Sequence, residues 1–99
     1  MVVVVFRSRL RPEYADEFRP LARRMLEIAE SMPGFISSRD YRDASGESCS
    51  VIEFESPELL QAWREHPEHL EAQRLGRERF YDAYTLQITQ PIRESRFER

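Results

Sequence analysis

Ninety-nine residues set the scale of one domain, with only a modest core unless it associates with another chain. With 40% of residues hydrophobic and 33% charged, the composition is that of a globular chain and excludes intrinsic disorder. The formal charge of −3 argues against nucleic acid as a partner, and the apolar run from Val2 to Phe6 is too short for a membrane span or a signal sequence.

All the basic residues are arginine, and neither lysine nor asparagine occurs. That usage points to GC-rich coding and a bacterial source. The single cysteine, Cys49, has no internal partner for a disulfide, which fits a reducing, cytoplasmic location.

Val2 to Leu10 is β-branched and aromatic and reads as a strand. Pro12 suits the first turn of a helix. Tyr14, Phe18, Leu21, Met25, Ile28 and Met32 then recur every three or four residues, one apolar stripe of an amphipathic helix. Glu13, Asp16, Glu17, Arg23, Arg24 and Glu27 fall mostly on its outer faces. Pro20 lies inside the stripe and predicts a kink or a broken first turn. Pro33-Gly34 ends the helix. Phe35 to Arg42 and Cys49 to Glu55 read as two strands joined by the turn Asp43-Ala44-Ser45-Gly46, a hairpin.

Ser56-Pro57 opens the second helical region with a cap residue and a proline at the first helical position. Pro67 pushes the backbone of His66 out of the helical basin. Two helices follow from this, Pro57 to Glu65 and Pro67 to Phe80, with a corner at His66. Ala83 to Ile92 reads as the last strand, Leu86 and Ile88 alternating with Thr85, Gln87 and Thr89. The tail from Arg93 to Arg99 is charged apart from Ser95 and Phe97.

The order β-α-β-β-α-β is the split unit of the ferredoxin-like fold, an α+β architecture with an antiparallel sheet and helices on one face. Val2 to Val5 is apolar on both faces, since alternate residues point opposite ways. The second face needs a cover, and another copy of the chain supplies one. The expectation is a homodimer through the sheet faces.

Pro33-Gly34-Phe35 at the second strand, followed by Trp63, His66-Pro67-Glu68-His69 and Gly76-Arg77, resembles the antibiotic biosynthesis monooxygenase (ABM) family. The resemblance runs from the first strand to Ile92. It implies a single ABM-like domain over residues 1–99 with 93–99 as its tail, a dimeric α+β barrel, and a cavity in each subunit between sheet and helices. Characterised relatives oxygenate anthrones or quinols without metal or flavin, degrade haem, or handle small signalling molecules. In polyketide-oxidising members an asparagine one helical turn before the tryptophan and a tyrosine six residues after it are implicated. Leu59 and His69 occupy those places here. The missing asparagine counts against anthrone-type oxygenation and, with none on the first strand, against haem degradation.

Ground-state oxygen is a triplet and reacts poorly with closed-shell molecules, so cofactor-free oxygenation needs a substrate that ionises to an electron-rich carbanion or phenolate. The protein must then bind a flat apolar body, exclude water and assist the loss of one proton. Trp63 could stack on such a ring, and His69 accept a proton near neutral pH or serve as a hydrogen-bond partner. Tyr14, Phe35 and Tyr41 are further candidate walls, with His66 beside them. Each has a structural alternative: Trp63 as core filler, His66 as a corner residue, His69 as simple packing. No cofactor is expected. A zinc site from His66, His69 and a nearby glutamate is disfavoured, because Pro67 breaks the register and no further His or Cys is near. Arg39 and Arg42 fall on opposite faces of their strand, and Cys49 reads as a small buried hydrophobe.

Three functional classes remain. The favoured one is a small-molecule monooxygenase acting on a quinol- or anthrone-like aromatic. The second is a non-catalytic, ligand-binding or stress-associated dimer with the same cavity. The third, an RNA-recognition module of the same strand order, is rejected: Cys49 to Glu55 carries two carboxylates and no basic residue where bases would stack.

Overall fold

The computed structural model describes residues 1–99. In chain order the elements are β1 (Val2–Leu10), a 3₁₀ turn (Pro12–Tyr14), α1 (Ala15–Ser31), β2 (Phe35–Arg42), β3 (Ser48–Phe54), α2 (Pro57–Arg64), α3 (Pro67–Leu75), a π-helical turn (Gly76–Phe80) and β4 (Tyr81–Thr89). The sheet order is β2-β3-β1-β4, with every neighbouring pair antiparallel. This is the ferredoxin-like α+β arrangement read from the sequence.

Boundaries differ where tertiary contacts override local pattern. The last strand begins at Tyr81 rather than Ala83, because Tyr81 pairs with Leu10 across a register shift. It ends at Thr89 rather than Ile92, just short of Pro91, which has no N–H to extend the ladder. The last helix keeps its predicted span from Pro67 to Phe80, but only as far as Leu75 as an α-helix; Gly76–Phe80 widens into the π turn. Pro20 lies inside α1, which continues through it, and the irregular first turn falls earlier, at Pro12–Tyr14.

Side chains alternate along each strand, so register assigns faces. Val2, Val4 and Phe6 share a face with Phe54, Ile52 and Ser50 of β3 and with Ile88 and Leu86 of β4. Helices cover that side. Val2, Val4 and Phe54 are buried there against Met25, Ile28 and Ala29 of α1 and Leu60 and Trp63 of α2. Each such side chain contributes about 1.5–3 kcal/mol by leaving water. Gly34 makes the turn from α1 into β2 at φ 88°, and a Cβ there would stand 2.5 Å from Leu59 Cδ1. Ser56 caps α2 by accepting from the Leu59 N–H at 3.2 Å.

Val3, Val5, Val51 and Cys49 stand on the other face, half-buried, with no helix over them. On the helix side the cover is incomplete along the edge strand β4, where Tyr84, Leu86 and Ile88 remain 43%, 39% and 45% exposed. No residue of α3 is fully buried; this helix packs on α1 and α2, and its half-buried Ala72 reaches the core cluster.

Candidate functional site

Trp63 lies three residues after Leu60 on the buried stripe of α2. Its indole N–H donates to the Met25 carbonyl at 3.2 Å. Its ring stacks on Phe54, with centroids 5.6 Å apart and planes at 23°, and meets His69 edge-on at 4.4 Å. On a straight helix two residues six positions apart point in widely different directions, at about 100° per residue. The corner removes that separation: His66 adopts φ −55° and ψ 134° before Pro67, and the change of direction brings His69 onto the indole.

Phe35 meets Phe54 edge-on at 5.7 Å. Phe35, Phe54, Trp63 and His69 thus form one continuous run of rings. Its two middle rings are closed off, Phe54 and Trp63 being 0% and 6% exposed with the indole nitrogen bonded inside the core, while Phe35 and His69 at its ends are both half-buried.

His69 is half-buried, and Gln73 Nε2 lies 2.7 Å from its Nδ1. The same amide nitrogen donates to the Arg64 carbonyl at 2.9 Å. Nε2 of the ring makes no hydrogen bond within the protein and is not fully buried. Burial, reinforced by the nearby Arg64 guanidinium and only partly offset by its own backbone carbonyl, lowers the pKa of His69 from 6.5 to about 4. Such a shift leaves the ring neutral at pH 7 and a weak base there.

The other candidates are placed apart from this pair. His66 spends its Nδ1 on the N-terminus of α3, accepting from the Glu68 N–H at 3.1 Å. Tyr14 lies by the π turn, edge-on to Phe80 at 6.2 Å with the Arg11 guanidinium 5.1 Å from its ring centre. Tyr41 pairs with Cys49, and Cys49 with Arg7, on the sheet face away from the helices, where Tyr41 is 56% exposed. It cannot form one wall with Trp63.

Several aromatic residues outside that candidate set form a second group. Phe6 lies 5.5 Å from Tyr81 and 5.4 Å from Tyr84, stacked on the latter. Phe18 of α1 meets Tyr81 at 5.7 Å and Phe80 at 5.6 Å. Burial, with a small contribution from Tyr84, raises the Tyr81 phenol to about 12, so it stays protonated. The signal was present in the alternation of Phe6 with Val2 and Val4. This group continues along β4 into the exposed Leu86 and Ile88, an apolar strip on the same side of the sheet as Trp63. Two strand spacings, about 10 Å, separate the column of Ile88 from that of Phe54.

Two shallow depressions of the surface lie elsewhere. One of ≈ 320 Å³ on the outer side of α1 includes Arg19, Pro20 and Arg23, and one of ≈ 480 Å³ on α2 includes Pro57 and Gln61. Neither includes Trp63 or His69. No three His, Cys, Asp or Glu side chains converge as metal ligands would, and no helix is long and apolar enough to cross a membrane.

Residues 1–75 match the family described as antibiotic biosynthesis monooxygenase. The chain belongs to that family. It is similar to the uncharacterised protein YqjZ of Bacillus subtilis, 30% identical over 95 residues, which span 96% of this chain and 82% of YqjZ. Among solved structures it resembles Rv0793 from Mycobacterium tuberculosis, with a TM-score of 0.82 at 23% identity over 96% of this chain and 98% of that one. It also resembles SnoaB, a cofactor-independent oxygenase from Streptomyces nogalater, with a TM-score of 0.76 at 14% identity over 94% of both chains. At these identities the two structural likenesses establish the fold.

Proposed function

We propose that this protein is a cytoplasmic homodimer that oxygenates a small quinol- or anthrone-like aromatic without a cofactor. Membership of the ABM family supports the reaction class, and the fold it shares with SnoaB supports the cofactor-free chemistry. The observation that carries the reading to a place is the apolar strip Tyr84, Leu86 and Ile88, open on the helix side of the sheet that also carries the His69–Trp63 pair. A flat substrate lies along the strip with its oxygen-bearing edge toward His69. Trp63 supports His69 from within the core, and Phe6 and Tyr84 supply stacking surface.

For an anthrone the balance is simple. The methylene C–H bond breaks, the proton leaves, and the carbanion passes an electron to oxygen. Recombination of the radical with superoxide gives a peroxide anion, which takes up a proton to become the hydroperoxide and then loses water as the new carbonyl forms. The protein contributes an apolar surface and stabilisation of the anion. The second copy of the chain covers the outer face around Val5 and Val51.

The neutral, weakly basic state of His69 favours one alternative, a dimer that binds such aromatics without turning them over. Oxygen uptake with a panel of hydroquinones and anthrones separates the two. The oxygenase reading requires uptake that is lost in Leu86→Asp, which places a charge on the strip. Binding of panel members without oxygen uptake would leave the ligand-binding dimer in its place, and no binding at all would overturn both.

A further inference from the structure

Gln73 fixes which nitrogen of His69 carries the proton. Its amide nitrogen is 2.9 Å from the Arg64 carbonyl and 2.7 Å from His69 Nδ1. A carbonyl only accepts, so the Arg64 contact identifies the nitrogen end of the amide, and an amide nitrogen only donates. Nδ1 must therefore present its lone pair to Gln73, which leaves the proton of the neutral ring on Nε2. Arg64 is the last residue of α2, and its carbonyl is one of the acceptors that a helix end leaves without an intrahelical partner. Gln73 sits one turn beyond His69 on α3 and is tethered to the backbone by that bond, which gives its amide a fixed direction.

We infer that Gln73 is a positioning residue that locks His69 as a hydrogen-bond donor through Nε2–H, so that the site receives an anionic oxygen of its ligand rather than a proton. The location of the ligand rests on the function proposed above; the tautomer does not. Nε2 is the ring atom left open, and the edge-on indole of Trp63 holds the ring from the core side. Charged groups near this corner include Arg64 and Glu65 at the end of α2, Glu68 at the start of α3, and Arg24 and Glu27 of α1; Glu65 accepts from the Gln61 amide. Arg24 and Glu68 neutralise one another through two contacts of 3.0 and 2.9 Å, and Glu27 stands 3.6 Å from Arg24. Arg64 and His66 both oppose a positive charge on His69.

The chemistry that fits a fixed neutral donor is stabilisation of an enolate or phenolate. A C–H or O–H bond of the substrate breaks, its electron pair delocalises onto oxygen, and the proton passes to water. The oxygen that gains charge accepts from Nε2–H, already oriented and needing no reorganisation. The site therefore selects aromatics whose acidic position is conjugated to a carbonyl or hydroxyl oxygen.

Nitrogen-15 NMR of the ligand-free protein tests the lock directly. His66→Asn keeps a good capping residue and leaves one imidazole to observe. At neutral pH the expected His69 spectrum has a protonated, pyrrole-like Nε2 and a bare, pyridine-like Nδ1. Gln73→Leu should mix the tautomers. Gln73→Glu should reverse them, because its carboxylate accepts from Nδ1–H and moves the titration up into the neutral range. An Nδ1–H tautomer or an imidazolium in the parent protein, or a tautomer unchanged in Gln73→Leu, overturns the inference.

Turnover supplies the second arm. With a panel substrate that the parent oxidises, His69→Gln, which keeps a donor and lacks a base, should retain its rate within about tenfold, whereas His69→Phe should lose about a hundredfold, the usual size for one lost donor. Equal losses would make His69 a base. If the parent consumes no oxygen, the proposed activity fails while the NMR result still decides the lock.

Discussion

Trp63→Ala removes an indole that is 6% exposed, stacks on Phe54, supports His69 and bonds the Met25 carbonyl. Truncating a buried aromatic to alanine costs about 3–5 kcal/mol. Loss of the indole hydrogen bond adds about 1 kcal/mol. A domain of this size has about 5–15 kcal/mol in total, so the variant should lose about a quarter of its stability or more. Trp63→Phe keeps a ring against Phe54 and should cost less, about 1–3 kcal/mol, from the smaller volume and the missing N–H. Urea unfolding followed by far-ultraviolet circular dichroism measures both, since the variants lose the only tryptophan fluorophore. Protein concentration must be held fixed, because association of subunits would add to the apparent stability. An alanine variant within about 1 kcal/mol of the parent at unchanged m would refute the core assignment and return the indole to the role of a pocket wall.

Gly34→Ala should destabilise by about 1–3 kcal/mol, because φ 88° strains any L side chain and the new Cβ would meet Leu59; an unchanged melting temperature would refute this. His69 gives a pH window. Unfolded it titrates near 6.5 and folded near 4, so the unfolded state binds the extra proton between these values. Stability is therefore full above 6.5 and falls as pH drops toward about 4, by at most about 2 kcal/mol after screening of a partly exposed ring. Urea midpoints of the parent and His69→Gln at both ends of the window check this, and a parent–variant difference that does not change with pH refutes it. Val51→Glu places a charge in the apolar centre of the outer face and should give a folded monomer, whereas the parent should run as a dimer burying more than about 1,200 Å². Light scattering decides, and a parent that runs as a monomer would remove the interface.

Element order was legible because the 3.6-residue stripe from Tyr14 to Met32 and the alternation in the strands are strong local signals. The contact between Trp63 and His69 was legible too, since Pro67 forces a corner at His66. Other parts of the site depended on register. Phe35 and Tyr41 are an even number of residues apart and by simple alternation share a face. The shift between Phe35 and Ser37 breaks that parity, leaving Phe35 beside Phe54 on the helix side and sending Tyr41 to the other. Gln73 carried no signal, because a glutamine in a helix is a surface residue by default and only the folded corner gives it the Arg64 carbonyl to hold.

One proline break accounts for both halves of the proposed site. A helix continuous from Pro57 would point His69 well away from Trp63. The corner at His66-Pro67 instead turns α3 onto α1 and α2, where none of its residues is fully buried. The same diversion withdraws cover from β4, which is why Tyr84, Leu86 and Ile88 stay open although they share a face with the buried Val4. Gly76 completes the exit. A Cβ there would stand 2.8 Å from the Tyr81 ring, so only glycine lets the chain pass from α3 into β4 with Tyr81 packed between Phe6 and Phe18. The polar end at His69 and the apolar strip on β4 are therefore two consequences of one change in chain direction, and a substitution that straightens that corner should disturb both together.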